Sequence, residues 1–469
     1  MINNLPELKN TKVLVMRFEP SPSGPLHIGH SYPLSLNSEL CRKYKGKLIL
    51  RIADTNPENI YPDAYRLIED DAKWITNNNI FKVYIQSDRM AIYYDYAKKA
   101  IENGIGYVCI CSSDIFKNYS TQMKACPCRN LSKEENLKRW EKMFKGYNEG
   151  DAVLRIKTKL DDPNPAMRDW PAARINENEH PRQGKKYRVW PLMNFAVAVD
   201  DHDMGITHTV RAKDHMDNEK KQKFLYDALG WKMPDNMYTG KINFKDLKLS
   251  TSETRQLIEK GEYEGWDDVR LPFLPALRRR GYQPGAFINY AVEVGLTQAD
   301  KTTTKEEFFK IINHFDKEAI DSKSKRFFFV ENPKKLKLKK CPKIKAEINL
   351  HPSNNKLGKK KISTSGEFYI QDKVEFNQVY RLMHLLNFKN DEFLSEEYNK
   401  ELKAKIIHWV DANENLKAEM LMEDNSVKKG IAEKNIEILK EGEICQFERL
   451  YFVRLEKKGA IYKFVYLHK

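Results

Sequence analysis

Three groups of residues in this 469-residue chain have types and spacings that could do chemistry. The first is His27-Ile28-Gly29-His30, which follows an apolar run and the turn-rich text EPSPSGP. At a helix start, unpaired backbone N–H groups and the helix dipole favour anions, and two imidazoles there can donate to a phosphate. Gly29, without a Cβ, lets a base or sugar approach the backbone. Four letters alone also describe two surface histidines, so the second group matters. It is Lys248-Leu249-Ser250-Thr251-Ser252, a cationic, hydroxyl-rich segment between strand-like KINF and helix-like TRQLIEKG, suited to closing over a triphosphate. The third is Cys109-x-Cys111 with Cys126-x-Cys128, a supply of thiols for tetrahedral Zn²⁺; the alternative is four reduced thiols buried as small hydrophobes. With no histidine nearby to leave an open position, such a metal would fold a small insert and do no chemistry. Seven cysteines, an odd number, do not suggest a disulfide framework.

These groups need elements to hold them. KVLVMRF (12–18) reads as a strand, HIGHSYPLSLNSELCRKY as a helix, KLILRIA (47–53) as a strand and PDAYRLIEDDAKWI as a helix. That order opens a parallel doubly wound α/β sheet, a Rossmann-like fold whose ligands sit at the carboxyl ends of the strands. The predicted organisation is a first half of the catalytic domain at 1–95, an insertion carrying the thiols at 96–190, and the second half at 191–240. There, residues 194–231 read as strand then helix. The KLSTS loop and a helical stem follow at 241–324, and a region of mostly β-structure at 325–469.

Composition fits several globular domains. With 31% charged and 41% hydrophobic residues, the chain is neither disordered nor fibrous. A mean hydropathy of −0.69 and the lack of any run of about 18 apolar residues argue against a membrane protein. The start, MINNLPELKN, has no apolar secretory segment, so the expected compartment is the cytosol. Net charge is +15 and is concentrated: residues 334–361 contain eleven lysines and one glutamate, ten of the fifteen excess charges. Within KKLKLKK (334–340) the alternation puts Leu336 and Leu338 on one strand face and Lys335, Lys337 and Lys339 on the other. That face is either solvated or makes phosphate contacts that position a nucleic acid without reading its sequence.

RFEPSPSGPLHIGH with KLSTS resembles the HIGH and KMSKS signatures of class I aminoacyl-tRNA synthetases. RIADTNP, YIQSDR, YRVWPLMNFAVAVDDHDMGITHTVRAKDH and GWDDVRLPFLPALRRRG resemble glutamyl-tRNA synthetase of the archaeal and eukaryotic type, from about Val13 to Val453. The resemblance implies ATP-dependent ligation of L-glutamate to tRNA(Glu) through a glutamyl-adenylate. It also implies Mg²⁺ with the ATP, an acceptor-binding insertion, C-terminal β-barrels that bind the anticodon, and a monomer. His27, His30, Lys248 and Ser250 are the implied catalytic residues, and Pro22, Ser23, Gly29 and Leu249 join them around ATP. Arg17, Glu19, Ser21, Met193 and Arg211 fall on glutamate-contacting positions. Arg211 matches the arginine that meets the substrate's side-chain carboxylate, which favours glutamyl over glutaminyl-tRNA synthetase; whether tRNA(Gln) is also charged stays open. An inactive tRNA-binding homologue is disfavoured by the intact His27, His30, Lys248 and Arg211.

Four positions depart from the family pattern. Thr251 replaces the second lysine of KMSKS, and Met193 stands where tyrosine is usual. Glu19 and Ala53 reverse the usual small residue and carboxylate, so Glu19 is expected to receive the substrate's α-ammonium from the neighbouring strand, with Asp54 as the alternative carboxylate.

Overall fold

Val15–Phe18 (β1) has all four side chains buried, the pattern of a parallel strand covered on both faces. Helix Ile28–Lys43 (α1) follows and leads to Lys47–Ile52 (β2), which pairs in parallel with β1 in the register Arg17↔Ile49, Phe18↔Leu50. After Ala64–Ile75 (α2), Lys82–Ile85 (β3) adds in parallel to β2. The computed structural model describes residues 4–9 and 11–469, which form two compact units: residues up to 262 with 287–308, and 263–286 with 309–469.

In the first unit, Met90–Glu102 (α3) enters the insertion. Gly106–Cys109 (β4), Val153–Ile156 (β5), Pro171–Ile175 (β6) and Val189–Pro191 (β7) form an antiparallel sheet in sequence order, with helices Ser113–Thr121 (α4) and Lys133–Lys145 (α5) between β4 and β5. Trp140, Trp170, Trp190 and Phe195 fill its core.

The main sheet then resumes, with one correction to the expected elements. NFAVAV is not a strand but part of helix Met193–Asp203 (α6); the strand is His208–Ala212 (β8). Residues 195–201 are all buried, so no polar face marks the helical period, and a short apolar run buried all round reads alike as strand or helix. Helix Met216–Leu229 (α7) leads to Asp235–Thr239 (β9), parallel to β8. Thr207 joins β8 to β1: its N–H donates to the Val15 carbonyl at 2.9 Å, and its hydroxyl accepts from the Val15 N–H at 3.0 Å. Strands β2 and β8 therefore flank β1, and the chain reverses direction across the sheet there. A ligand crevice opens at such a reversal, outside the carboxyl ends of β1 and β8. Helix Thr251–Glu259 (α8) begins at the KLSTS segment.

Beyond Lys325 the second unit is almost all strand, in sheets of seven, four, three and two strands. Among the described residues the strand pairings give each sheet in linear order and trace no closed barrel. The edge strands of the seven-stranded sheet, Lys325–Phe327 and Phe329–Glu331, are successive stretches separated only by Phe328, without pairing to each other. Leu336 and Leu338 are buried, and Lys335, Lys337 and Lys339 exposed. The lysine-rich stretch is not uniformly solvated. Lys360 is buried, paired with Glu433 and 3.9 Å above the Phe328 ring. Lys335 and Lys337 share Glu367 at 2.6 and 3.0 Å.

Candidate active site and thiol cluster

His27 is the N-cap of α1, so the two histidines flank the first helical turn. His27 Nδ1 accepts from the Gly29 N–H at 3.1 Å, and His30 Nδ1 accepts from the His27 N–H at 3.3 Å. The rings stack with centroids 3.8 Å apart. Burial pushes both pKa values down, His30 to about 4; at His27 the neighbouring His30 adds to the effect. Both imidazoles are therefore neutral near pH 7. With Nδ1 accepting, each carries its proton on Nε2, the atom able to donate to a phosphate.

The KLSTS segment meets this turn. A Cβ on Gly29 would lie 2.9 Å from His27 Cε1 and 3.3 Å from Leu249 Cδ1, so the glycine makes room for both. Ser250 caps α8 by accepting from the Glu253 N–H, and exposed Lys248 lies 3.4 Å from Glu253. In the β1–α1 loop, the Pro22 carbonyl accepts from the Tyr61 N–H and the Ser23 N–H donates to the Ser21 carbonyl.

The carboxyl ends of β1 and β8 carry a buried charge cluster. Arg17 Nε, Arg51 Nη2 and Arg211 Nη2 lie 3.2, 2.6 and 3.2 Å from Asp201. Burial raises the Asp201 pKa, but the three arginines prevail and hold it well below the usual carboxylate range. Arg211 is depressed by burial and then by the like charge of Arg17. Met193 is half exposed at the start of α6.

Glu19 is engaged by side chains of the protein itself. Its two oxygens accept from Arg51 Nε and Nη2 at 3.0 and 2.8 Å, and Gln86 donates to Oε1 at 3.1 Å. The carboxylate at 19 thus balances the fully buried guanidinium at 51 on the adjoining strand. Asp54 is likewise engaged, accepting from the Ser87 N–H and hydroxyl and from Tyr65, at 2.7, 2.7 and 2.8 Å.

Four sulfurs, from Cys109, Cys111, Cys126 and Cys128, lie within 4.8 Å of one another. A tetrahedron with Zn–S of about 2.3 Å has sulfurs about 3.8 Å apart, and the pairs Cys109–Cys126 and Cys111–Cys128 stand at 3.9 Å. The hydrogen bond from Cys109 holds Cys126 down to about 5, and Arg139 donates to Cys128 at 3.4 Å. Soft donors, spacing and a ready thiolate all fit zinc.

Sequence reasoning missed Arg51, Asp200, Asp201 and Gln222. A signal existed for the first three: a charge inside the apolar runs KLILRIA and AVAVDD has to find a partner when buried. For Gln222, on a polar stretch of α7, there was none.

Fold and site together define a class I aminoacyl-tRNA synthetase, with histidines at the first helix after β1 and a KMSKS-like loop against them. The family profile for tRNA synthetases class I (E and Q), catalytic domain, matches residues 13–322, and two anti-codon binding domain profiles match 324–408 and 406–456. The chain belongs to this family of tRNA synthetases. A protein named glutamate–tRNA ligase from Methanocaldococcus jannaschii is 43% identical over 464 residues, covering 96% of this chain and 83% of that one. Another of that name from Methanobrevibacter smithii is 42% identical over 465 residues, covering 97% and 83%. A solved glutamate tRNA ligase from Elizabethkingia meningosepticum aligns at 21% identity and TM-score 0.48, over 66% of this chain and 70% of that one.

Proposed function

We infer that this chain activates L-glutamate with ATP and transfers it to tRNA(Glu). The observation that carries the amino-acid choice is that Arg17 and Arg211 share one carboxylate, Asp201. Arg51, the third arginine on Asp201, is balanced mainly by Glu19. Glu19 also lies 3.5 Å from Arg17, and Asp200 sits closer to Arg89 than to Arg51, so the three guanidiniums of Arg17, Arg51 and Arg211 face two carboxylates, Glu19 and Asp201. One positive charge is left for the substrate's side-chain carboxylate, with the fork geometry that arginine offers. Glutamine's neutral amide leaves that charge uncompensated.

In the first step the α-carboxylate attacks the α-phosphorus of ATP and pyrophosphate leaves. A terminal ribose hydroxyl of the tRNA then attacks the acyl carbon and AMP leaves. Neither step needs a protein nucleophile; both need positioning and compensation of charge on phosphorus and the leaving group. His27 and His30 donate from Nε2 to the phosphates, Gly29 admits the adenosine, and the Pro22-Ser23 loop borders the nucleotide. Lys248, Leu249 and Ser250 close over it, with Lys248 taking the cationic task that Thr251 cannot. Mg²⁺ accompanies ATP. The four cysteines hold a structural zinc in the insertion, which receives the tRNA acceptor end, and residues 325–469 bind the anticodon.

Charging assays with glutamate and glutamine on purified tRNA(Glu) and tRNA(Gln) test this reading. Glutamate on tRNA(Glu) is the expected product. Arg211→Ala removes two charge-assisted bonds to the substrate, about 3–6 kcal/mol, and should lower kcat/KM for glutamate by at least about 10². Preferential charging with glutamine, or an unimpaired Arg211→Ala, would overturn it.

A further inference from the structure

Arg211 is held by three acceptors. Nε donates to Thr209 Oγ1 at 3.2 Å, Nη1 to Gln222 Oε1 at 2.9 Å and Nη2 to Asp201 Oδ2 at 3.2 Å. A guanidinium has five N–H groups, so two remain, one on each terminal nitrogen, the number a carboxylate fork takes. Of the three acceptors only Asp201 is charged, and Arg17 and Arg51 also draw on it. Buried Gln222 holds Arg211 without neutralising it.

The amide of Gln222 could present either its carbonyl or its NH₂ to Arg211, and a relay of side chains decides which. Gln222 Nε2 donates to Asn194 Oδ1 at 3.1 Å, and Asn194 Nδ2 donates to Asn218 Oδ1 at 3.2 Å. Asn218 Nδ2 lies 2.9 Å from His215 Nδ1. Each amide donates onward, away from Arg211, so the Gln222 carbonyl is turned toward the guanidinium. Asn194 follows Met193 at the start of α6, and Gln222 and Asn218 lie on α7, so the relay ties both helices to β8.

We propose that Gln222 is a positioning residue for glutamate selection: its neutral carbonyl orients Arg211 while leaving the guanidinium charge for the substrate's side-chain carboxylate. This rests on the reading above that Arg211 meets that carboxylate. A carboxylate at 222 would hold the fork as firmly but cancel its charge. An apolar side chain would keep the charge and lose the orientation.

The test is ATP–pyrophosphate exchange with tRNA present, measured on the native chain and on Gln222→Glu, Gln222→Met and Arg211→Ala. Gln222→Met should raise the KM for glutamate about tenfold, equivalent to about 1.4 kcal/mol. Gln222→Glu should raise it further and narrow the glutamate-to-glutamine preference most, with the KM for ATP within about twofold of native in both. The proposal is overturned if Gln222→Glu keeps native glutamate KM and preference while Arg211→Ala is impaired. It is equally overturned if Gln222→Met is the worse variant and the KM values for ATP and glutamate rise together, as a purely structural residue requires. An unimpaired Arg211→Ala would instead remove the underlying reading, and the proposal with it.

Discussion

Replacing Glu19 by alanine distinguishes its two roles, counter-charge for Arg51 or receiver of the substrate's ammonium. In the structure it removes the acceptors of two Arg51 donors at 3.0 and 2.8 Å and of the Gln86 amide at 3.1 Å. Arg51 is fully buried and keeps Asp201 at 2.6 Å and Asp200 at 3.7 Å. Removing one partner of a buried ion pair costs about 3–5 kcal/mol. Two carboxylates remain and Glu19 lies at the edge of the crevice, so about 2–3 kcal/mol is expected, the scale of a hydrogen bond to a charged group. With two compact units, the informative unfolding transition is the one that ATP shifts, because a ligand stabilises only the part that binds it. Glu19→Ala should destabilise that transition. Adding Ala53→Asp, which puts a carboxylate two residues beyond Arg51, at the first position past the end of β2, should recover at least about half of the loss. An ATP-linked transition that does not move in Glu19→Ala, together with a glutamate KM raised tenfold or more, would refute the counter-charge role and restore the ammonium role.

Three further outcomes follow from the same geometry. His27 and His30 are held neutral when folded, whereas the unfolded chain takes up protons near pH 6.5. Between about 6.5 and 4 the unfolded state therefore binds more protons and stability falls as pH falls; His30→Asn should flatten that slope in unfolding measured from pH 7 to 4.5, and an unchanged slope would place the loss elsewhere. Metal analysis of protein produced with zinc should give one zinc per chain, lost in Cys126→Ser; a native chain without zinc would rule out the cluster as a metal site. Neutralising exposed Lys339, Lys343 and Lys345 should reduce the salt dependence of tRNA binding by about one unit of slope per lysine. Lys335 and Lys337, already compensated by Glu367, should change it less, and equal flattening would count against this division.

Much of the site was legible because its logic is local. HIGH needs only a strand, a turn and a helix start, and His27 caps α1 as that order predicts. Leu336 and Leu338 turn inward by the two-residue period of a strand. The thiols needed only a chain that returns within twenty residues. NFAVAV misled because its burial on all sides erased the period.

By itself the sequence determined the motifs and their order, and with them the family and the location of the nucleotide crevice. Tertiary structure decided what each charge is used for. Glu19 balances Arg51 from a neighbouring strand, Arg211 is oriented by Gln222 on a separate helix, and Lys360 leaves the cationic surface to pair with Glu433, 73 residues away. The reason is desolvation: a charge taken out of water must be matched within about 3 Å, and only the folded chain fixes which side chain stands that close.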